Sequence, residues 1–235
     1  IVMKLLMPII CLFLVNESLH GKASIKKPDE LFHMLNDNNG WNTIAKREDI
    51  TLSTKSIDGM NLVAFMARQK TSIPTEIIQD IIMDVKNYGQ YFRGTGPFTF
   101  KEIKREGDWV KGYHLIPIEM PLMKDREYFF RVHAKGYDLQ DKNSIVHWYL
   151  IEKDFSDKKM VENISKDAIY LDYGAGMWMA EPIDDNEYIL SYRLYLDPGG
   201  SIPDFAIEFL NKMNILNVFK DVVKEATHRN ITAVP

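Results

Sequence analysis

Cysteine is almost missing from this chain. Cys11 is the only one in 235 residues, so no disulfide can close within the chain and no thiolate set can hold a metal. Basic excess is missing as well. The net charge is −4 with both signs interspersed, which excludes the electrostatic footprint of a nucleic-acid binder. The apolar run Leu5–Val15 is too short to span a bilayer, which takes roughly 20 residues. Neither low-complexity tracts nor internal repeats occur. Catalytic signatures are lacking too: there is no Gly-x-Ser-x-Gly elbow and no His-Glu-x-x-His, and Gly94-Thr95-Gly96 is not followed by the Lys-Ser/Thr of a phosphate-binding loop. His133 and His147 are candidates for neighbours on adjacent strands, but two histidines make an incomplete metal site. Surface positions are the expectation for both.

What is present is an ordinary globular composition, 46% apolar and 26% charged. Lys4 precedes the apolar run, and Gly21-Lys22-Ala23 follows it as a small-x-small site. Residues 1–23 therefore read as a secretory signal, which places the chain in the periplasm or outside the cell. A buried N-terminal helix is the alternative, since Pro8 interrupts the run. Residues 24–235 read as a single domain, because no linker divides them.

Periodicity sets out the elements of that domain. Pro28–Leu35 predicts a short helix with proline at its first position. Ile50–Ser56 and Asn61–Gln69 predict a hairpin across Asp58-Gly59. A helix starting at Pro74 carries Ile77, Ile78, Ile81, Ile82 and Val85 at helical spacing, and Gly89 ends or kinks it. Six strands follow: Phe98–Arg105, Trp109–Ile116, Glu127–Tyr137, Ile145–Lys153, Tyr170–Met179 and Tyr188–Leu196. No long helical stretch separates them, so the sheet is expected to be antiparallel. The last element is a helix from Pro203 to about His228, ~39 Å long at 1.5 Å per residue. The fold class is α+β.

The last helix has a broad apolar face. Its stripe includes Phe205, Phe209, Met213, Leu216 and Phe219, widened by Ile215, Val218 and Val222. One helix does not easily fill the concave side of about eight strands, which favours a cavity between them. Methionine is frequent among the apolar positions and adapts to irregular contents. Solid core is the alternative.

The segment Gly176–Asn211 contains a Gly-x-Trp strand (Gly176, Trp178), then a strand running into Asp197-Pro198-x-Gly200-x-Ile202-Pro203, then the long helix. Order and spacing resemble the C-terminal half of START domains, the steroidogenic-acute-regulatory-related lipid-transfer family of the Bet v 1-like superfamily. Upstream, Pro121, Asp125 and Arg126 resemble the family's Pro-x-x-x-Arg-Asp segment, except that Glu127 stands where aspartate is usual. The resemblance runs from Leu31 to His228 and is that of a bacterial secreted member. It implies a helix-grip fold, in which a curved antiparallel sheet wraps the C-terminal helix around an apolar tunnel. It further implies binding or transfer of a sterol, phospholipid or fatty-acid-like molecule, with no cofactor. The expected partners are that ligand and, transiently, a membrane; the expected state is a monomer. Two other functions stay open: an aromatase/cyclase or hydrolase on the same fold, for which no acid–base pair stands out, and an interaction module whose tunnel has collapsed.

Strand alternation nominates the lining. Phe130 and Val132 oppose Arg131 and His133. Both faces of Ile145–Ile151 are apolar, so its register stays open; Trp148 with Val146 and Leu150 is the set nominated, and Trp178 comes from the Gly-x-Trp strand. Leu190 and Tyr192 oppose Ser191 and Arg193, and the helix adds Phe205, Phe209, Met213 and Leu216. Each also fits ordinary core packing. Arg193 is the candidate polar anchor if the faces of its strand are reversed, and an inward arginine then needs a partner. Gly199-Gly200, just before the helix, is the candidate gate, with Gly94–Pro97 as a second mobile candidate. A plain tight turn is the alternative for Gly199-Gly200.

Overall fold

The computed structural model describes residues 28–60, 62–93, 99–118, 123–134, 143–153, 167–199 and 204–233, with side chains of the last helix from Ile215 to Thr232. The predicted signal segment, Gly94–Pro97 and Gly200 lie outside these residues, as do the side chains of Phe205, Phe209 and Met213. Among the described residues the elements are α1 (Pro28–Asn36), β1 (Asn42–Arg47), β2 (Ile50–Ser56), β3 (Val63–Thr71), α2 (Thr75–Met83), a 3₁₀ turn (Val85–Asn87) and α3 (Tyr88–Tyr91). Then come β4 (Thr99–Glu106), β5 (Trp109–Ile116), β6 (Arg126–His133), β7 (Ser144–Ile151), β8 (Ile169–Tyr170), β9 (Gly174–Pro182), β10 (Tyr188–Leu196) and α4 (Asp204–Ala233).

All the strands join one ten-stranded sheet in the order β1-β2-β3-β10-β9-β7-β6-β5-β4, with β8 attached to β6. Every pairing is antiparallel except the short parallel contact of β8 with β6. The α+β class and the antiparallel sheet expected from the sequence are both present. The strands at Trp109–Ile116 and Tyr188–Leu196 match their predicted bounds to the residue.

Three elements differ from expectation. β1 is an edge strand exposed along almost its whole length, so it shows no alternation to read, and its Lys46 and Arg47 suit an edge. The predicted strand Tyr170–Met179 is two strands. The chain runs beside β6 at Ile169–Tyr170, then moves over to pair with β7 and β10 from Gly174. The helix after Pro74 breaks at Asp84, five residues before Gly89. Asp84 leaves the helical region (φ −86°, ψ 57°) while its N–H still donates to the Ile81 carbonyl. Its carboxylate accepts from the Asn87 side-chain amide at 3.0 Å and from the Tyr91 hydroxyl. This break turns Tyr88 and Phe92 toward the sheet.

The sheet carries a hydrophobic core on each face. On one face α1 packs against β9 and β10, with Leu31, Phe32 and Leu35 buried against Ala175, Met177, Met179 and Tyr195. On the other face lie α2, α3 and α4 over the larger core. The centre of the α4 stripe is Ile215, Phe219, Val222 and Ala226, all at 0–1% exposure. Phe219 and Ala226 belong to the predicted stripe, whereas Leu216 and Val223 only flank the core and Ile215 and Val222, from its predicted margin, take the central places. Fully burying a side chain of this size contributes about 1.5–3 kcal/mol.

Candidate functional site

A cavity of about 100 Å³ lies between the α4 face of the sheet and the helices. Its wall on the sheet side is a row of cross-strand neighbours. Phe100 on β4 pairs with His114 on β5, which pairs with Tyr128 on β6. Val132 pairs with Trp148 on β7, and Trp178 on β9 pairs with Tyr192 on β10. Phe130 completes the sheet side, while Ile82, Tyr88, Phe92 and Val218 close it from the helices. Because side chains alternate along a strand, residues two apart on β6 (Tyr128, Phe130, Val132) all face this space.

Two glycines make room for the rings. A Cβ on Gly112 would lie 2.4 Å from the Phe130 ring, and one on Gly176 would lie 2.6 Å from Trp148 Nε1. Each glycine sits directly across from the aromatic it admits. The Gly-x-Trp sequence thus has a physical meaning: Gly176 admits one tryptophan from the neighbouring strand, and Trp178 supplies another. The Trp178 ring lies between Tyr192 at 4.4 Å and Phe219 of α4 at 5.6 Å, nearly parallel to both. That stack ties the C-terminal half of α4 to the sheet.

The polar groups of the described lining residues carry no charge. His114 Nδ1 is 2.6 Å from the Tyr128 hydroxyl, and the imidazole stacks on Phe100 at 3.9 Å. Burial pushes its pKa down to about 3, because a charged imidazole has no water there. The Tyr88 hydroxyl donates to the Ile82 carbonyl. The Tyr88, Tyr128 and Tyr192 phenols are all pushed upward by burial, and for Tyr88 and Tyr128 the neighbouring Tyr192 adds to the effect.

The nominated residues fall into four groups. Phe130, Val132, Trp148, Trp178 and Tyr192 line the cavity. Leu190 is fully buried on the same face but off the cavity, in the main core, where Leu216 also packs at the periphery. The side chains of Phe205, Phe209 and Met213 are outside the described residues. Arg193 requires a correction: it is not a polar anchor inside the cavity. It points to the opposite face at 1% exposure and donates to the Leu35 and Asn36 carbonyls at 3.0 Å each. It also reaches Glu181 at 3.1 Å. Lys55 meets the same helix end, donating to the Met34 and Asp37 carbonyls at 2.8 and 2.9 Å. Two cations therefore cap the C-terminus of α1, where the helix dipole is negative.

Gly199 adopts φ +60° in the turn before α4, and its N–H donates to Asp197 Oδ1 at 2.9 Å. Arg126, buried on β6, donates to the Pro198 carbonyl at 2.8 Å, to the Gly199 carbonyl at 3.3 Å and to the Lys124 carbonyl. The turn is thus clamped to the sheet. Glu127, the departure from the family motif, is buried on the other face between the Tyr113 hydroxyl at 3.0 Å and Lys153 at 3.1 Å.

Sequence reasoning passed over Phe100, His114, Tyr88 and Phe92. The signal for His114 was available: Val110, Gly112, His114 and Ile116 alternate against Trp109, Lys111 and Leu115, which puts the histidine inward. His133 and His147 do lie side by side on β6 and β7, with stacked rings 4.8 Å apart. Among the described residues no group of three metal-binding side chains occurs, and no helix is long and apolar enough to cross a membrane.

No protein-family profile matches the sequence, and no curated protein matches it either. Solved structures do. A STAR-related lipid transfer protein from Xanthomonas axonopodis superposes with a TM-score of 0.62 at 15% identity, over 80% of this chain and 99% of that one. Human STARD10 gives 0.65 at 16% identity, over 88% of this chain and 83% of its own. Human StAR-related lipid transfer protein 5 gives 0.64 at 13% identity, over 85% and 92%. The open antiparallel sheet, the long C-terminal helix laid across one face and these superpositions lead to one conclusion: the chain has the START-like helix-grip fold.

Proposed function

We propose that this chain binds a hydrophobic small molecule between α4 and the sheet and carries it through water, from one membrane to another. The observation that carries this reading is the ring-lined cavity beneath α4, whose described lining contains no charged side chain. Holding a lipid there removes alkyl surface from water, about 0.8 kcal/mol per CH₂. The polar groups suit binding better than proton transfer: His114 is neutral at pH 7 and a weak base, and the tyrosines are raised away from it. The cavity of about 100 Å³ is smaller than the roughly 300–1,000 Å³ of most small-molecule sites. A lipid-sized ligand therefore needs α4 to lift from the sheet, and the turn at Gly199 is where it pivots, with Arg126 as the clamp to be released.

Native mass spectrometry and organic extraction of the purified protein test the proposal. A co-purifying lipid, or quenching of Trp148 and Trp178 fluorescence on titration with a lipid panel, is the expected result. A protein that is empty as isolated and binds no sterol, fatty acid, alcohol or phospholipid rejects it. In the same reading the apolar run of residues 1–23 directs export, so the mature N-terminus isolated from periplasm or medium begins near Ser24. Recovery of the uncleaved chain from the cytoplasm alone refutes that part.

A further inference from the structure

We infer that the cavity selects an uncharged ligand, one whose hydroxyl or carbonyl group docks on the Tyr128–His114 couple, and that it turns away the anionic lipid of the same size. This rests on the reading of the cavity as a lipid site and narrows it.

The first argument is charge. None of the described lining residues is Lys, Arg, Asp or Glu. The arginines on the flanking strands are committed elsewhere. Arg126 holds the carbonyls of the turn before α4, and Arg105 bonds Glu102 and the Met83 carbonyl. A carboxylate or phosphate brought into this space finds no counter-charge among the described lining residues, and an unpaired buried ion is strongly disfavoured. A hydroxyl or carbonyl needs only a hydrogen bond.

The second argument is what the couple offers. The Tyr128 hydroxyl has one donor and two acceptor sites, and a neutral imidazole has one of each. The His114 imidazole stays neutral throughout the physiological range. With its proton on Nδ1, His114 donates to Tyr128, whose own O–H is then directed to a ligand carbonyl. With Nδ1 unprotonated, Tyr128 donates across the 2.6 Å contact and its remaining lone pair accepts a ligand hydroxyl. The pair thus reads either group by a tautomer change. Tyr192 lines the same cavity, and its phenol is a further donor.

Matched pairs of probes test this: hexadecanol against palmitate, and cholesterol against cholesterol sulfate, each titrated by tryptophan fluorescence and checked by native mass spectrometry. The neutral member of at least one pair should bind ten-fold or more tightly than its anion. Tyr128→Phe, which keeps the ring, should weaken the neutral probe about ten-fold and leave the anion's weaker binding unchanged. Equal or tighter binding of the anions overturns the inference and leaves lipid binding intact. A neutral preference that survives Tyr128→Phe unaltered overturns the role of the couple. If neither member of either pair binds, the inference fails, and the lipid reading fails with it only when the phospholipids of the panel do not bind either.

Discussion

The two faces of the sheet treat polarity in opposite ways. On the α1 face, charge is buried and fully engaged: Arg193 spans two helix carbonyls and Glu181, and Glu127 sits between Lys153 and Tyr113. On the α4 face the described lining residues hold polarity only in uncharged form, as tyrosine, tryptophan and a neutral histidine. Adjacent residues of one strand divide between the two, Tyr192 to the cavity and Arg193 to α1. A closed ion-pair network fixes one geometry, since each charge left alone is penalised. Neutral groups tolerate exchange of partners, which a binding cavity needs.

The largest test of this contrast removes Arg193. Arg193→Met takes the donors from the α1 terminus and from Glu181, and the expected loss is about 3–5 kcal/mol, read as a fall in the urea midpoint. Ligand affinity of the folded fraction should not change, because the cavity lies across the sheet. An unaltered midpoint would show the network to be idle.

A smaller loss is expected on the cavity side. Gly176→Ala places a methyl 2.6 Å from the Trp148 indole, and overpacking of this kind costs about 1–3 kcal/mol. Here affinity should drop along with stability, since Trp148 must move. If stability falls and binding does not, Trp148 packs the core without serving the site.

The gentlest probe is pH. The folded pKa of His114, about 3, lies below its ordinary value of 6.5, so unfolding takes up a proton between those values. Stability from this group is complete above pH 6.5 and is lost as pH falls toward 3, by at most about 1.4 kcal/mol per pH unit. His133 on the opposite face, lowered to about 4 by burial and by its neighbour His147, adds to the same trend. His114→Phe should therefore reduce, and not abolish, the fall of Tm between pH 6.5 and 4. An unchanged pH profile would mean that His114 is hydrated.

Much of the fold is legible in the chain itself. The bounds of β5 and β10 follow from turn residues at each end and from the apolar positions between them. Phe130 and Val132 follow from the alternation of their strand, whereas Trp148 does not, because both faces of Ile145–Ile151 are apolar. Edge strand β1 is not legible because an exposed strand has no burial pattern. The break at Asp84 is hidden because its cause is a hydrogen-bonded turn that leaves helix-compatible residues on both sides. The partner of Arg193 is α1, far away in sequence, and alternation alone cannot say that a helix end waits there.

By itself, then, the sequence determined the class of the fold, the direction of most side chains and the shortage of charge on one face, because each follows from local periodicity and residue chemistry. Tertiary structure alone decided where α4 turns its stripe, that Arg193 serves a helix terminus, and that three tyrosines and a neutral histidine share one cavity with the tryptophans. Those outcomes depend on which distant segments meet, and on the burial that removes water and sets the charge state of His114.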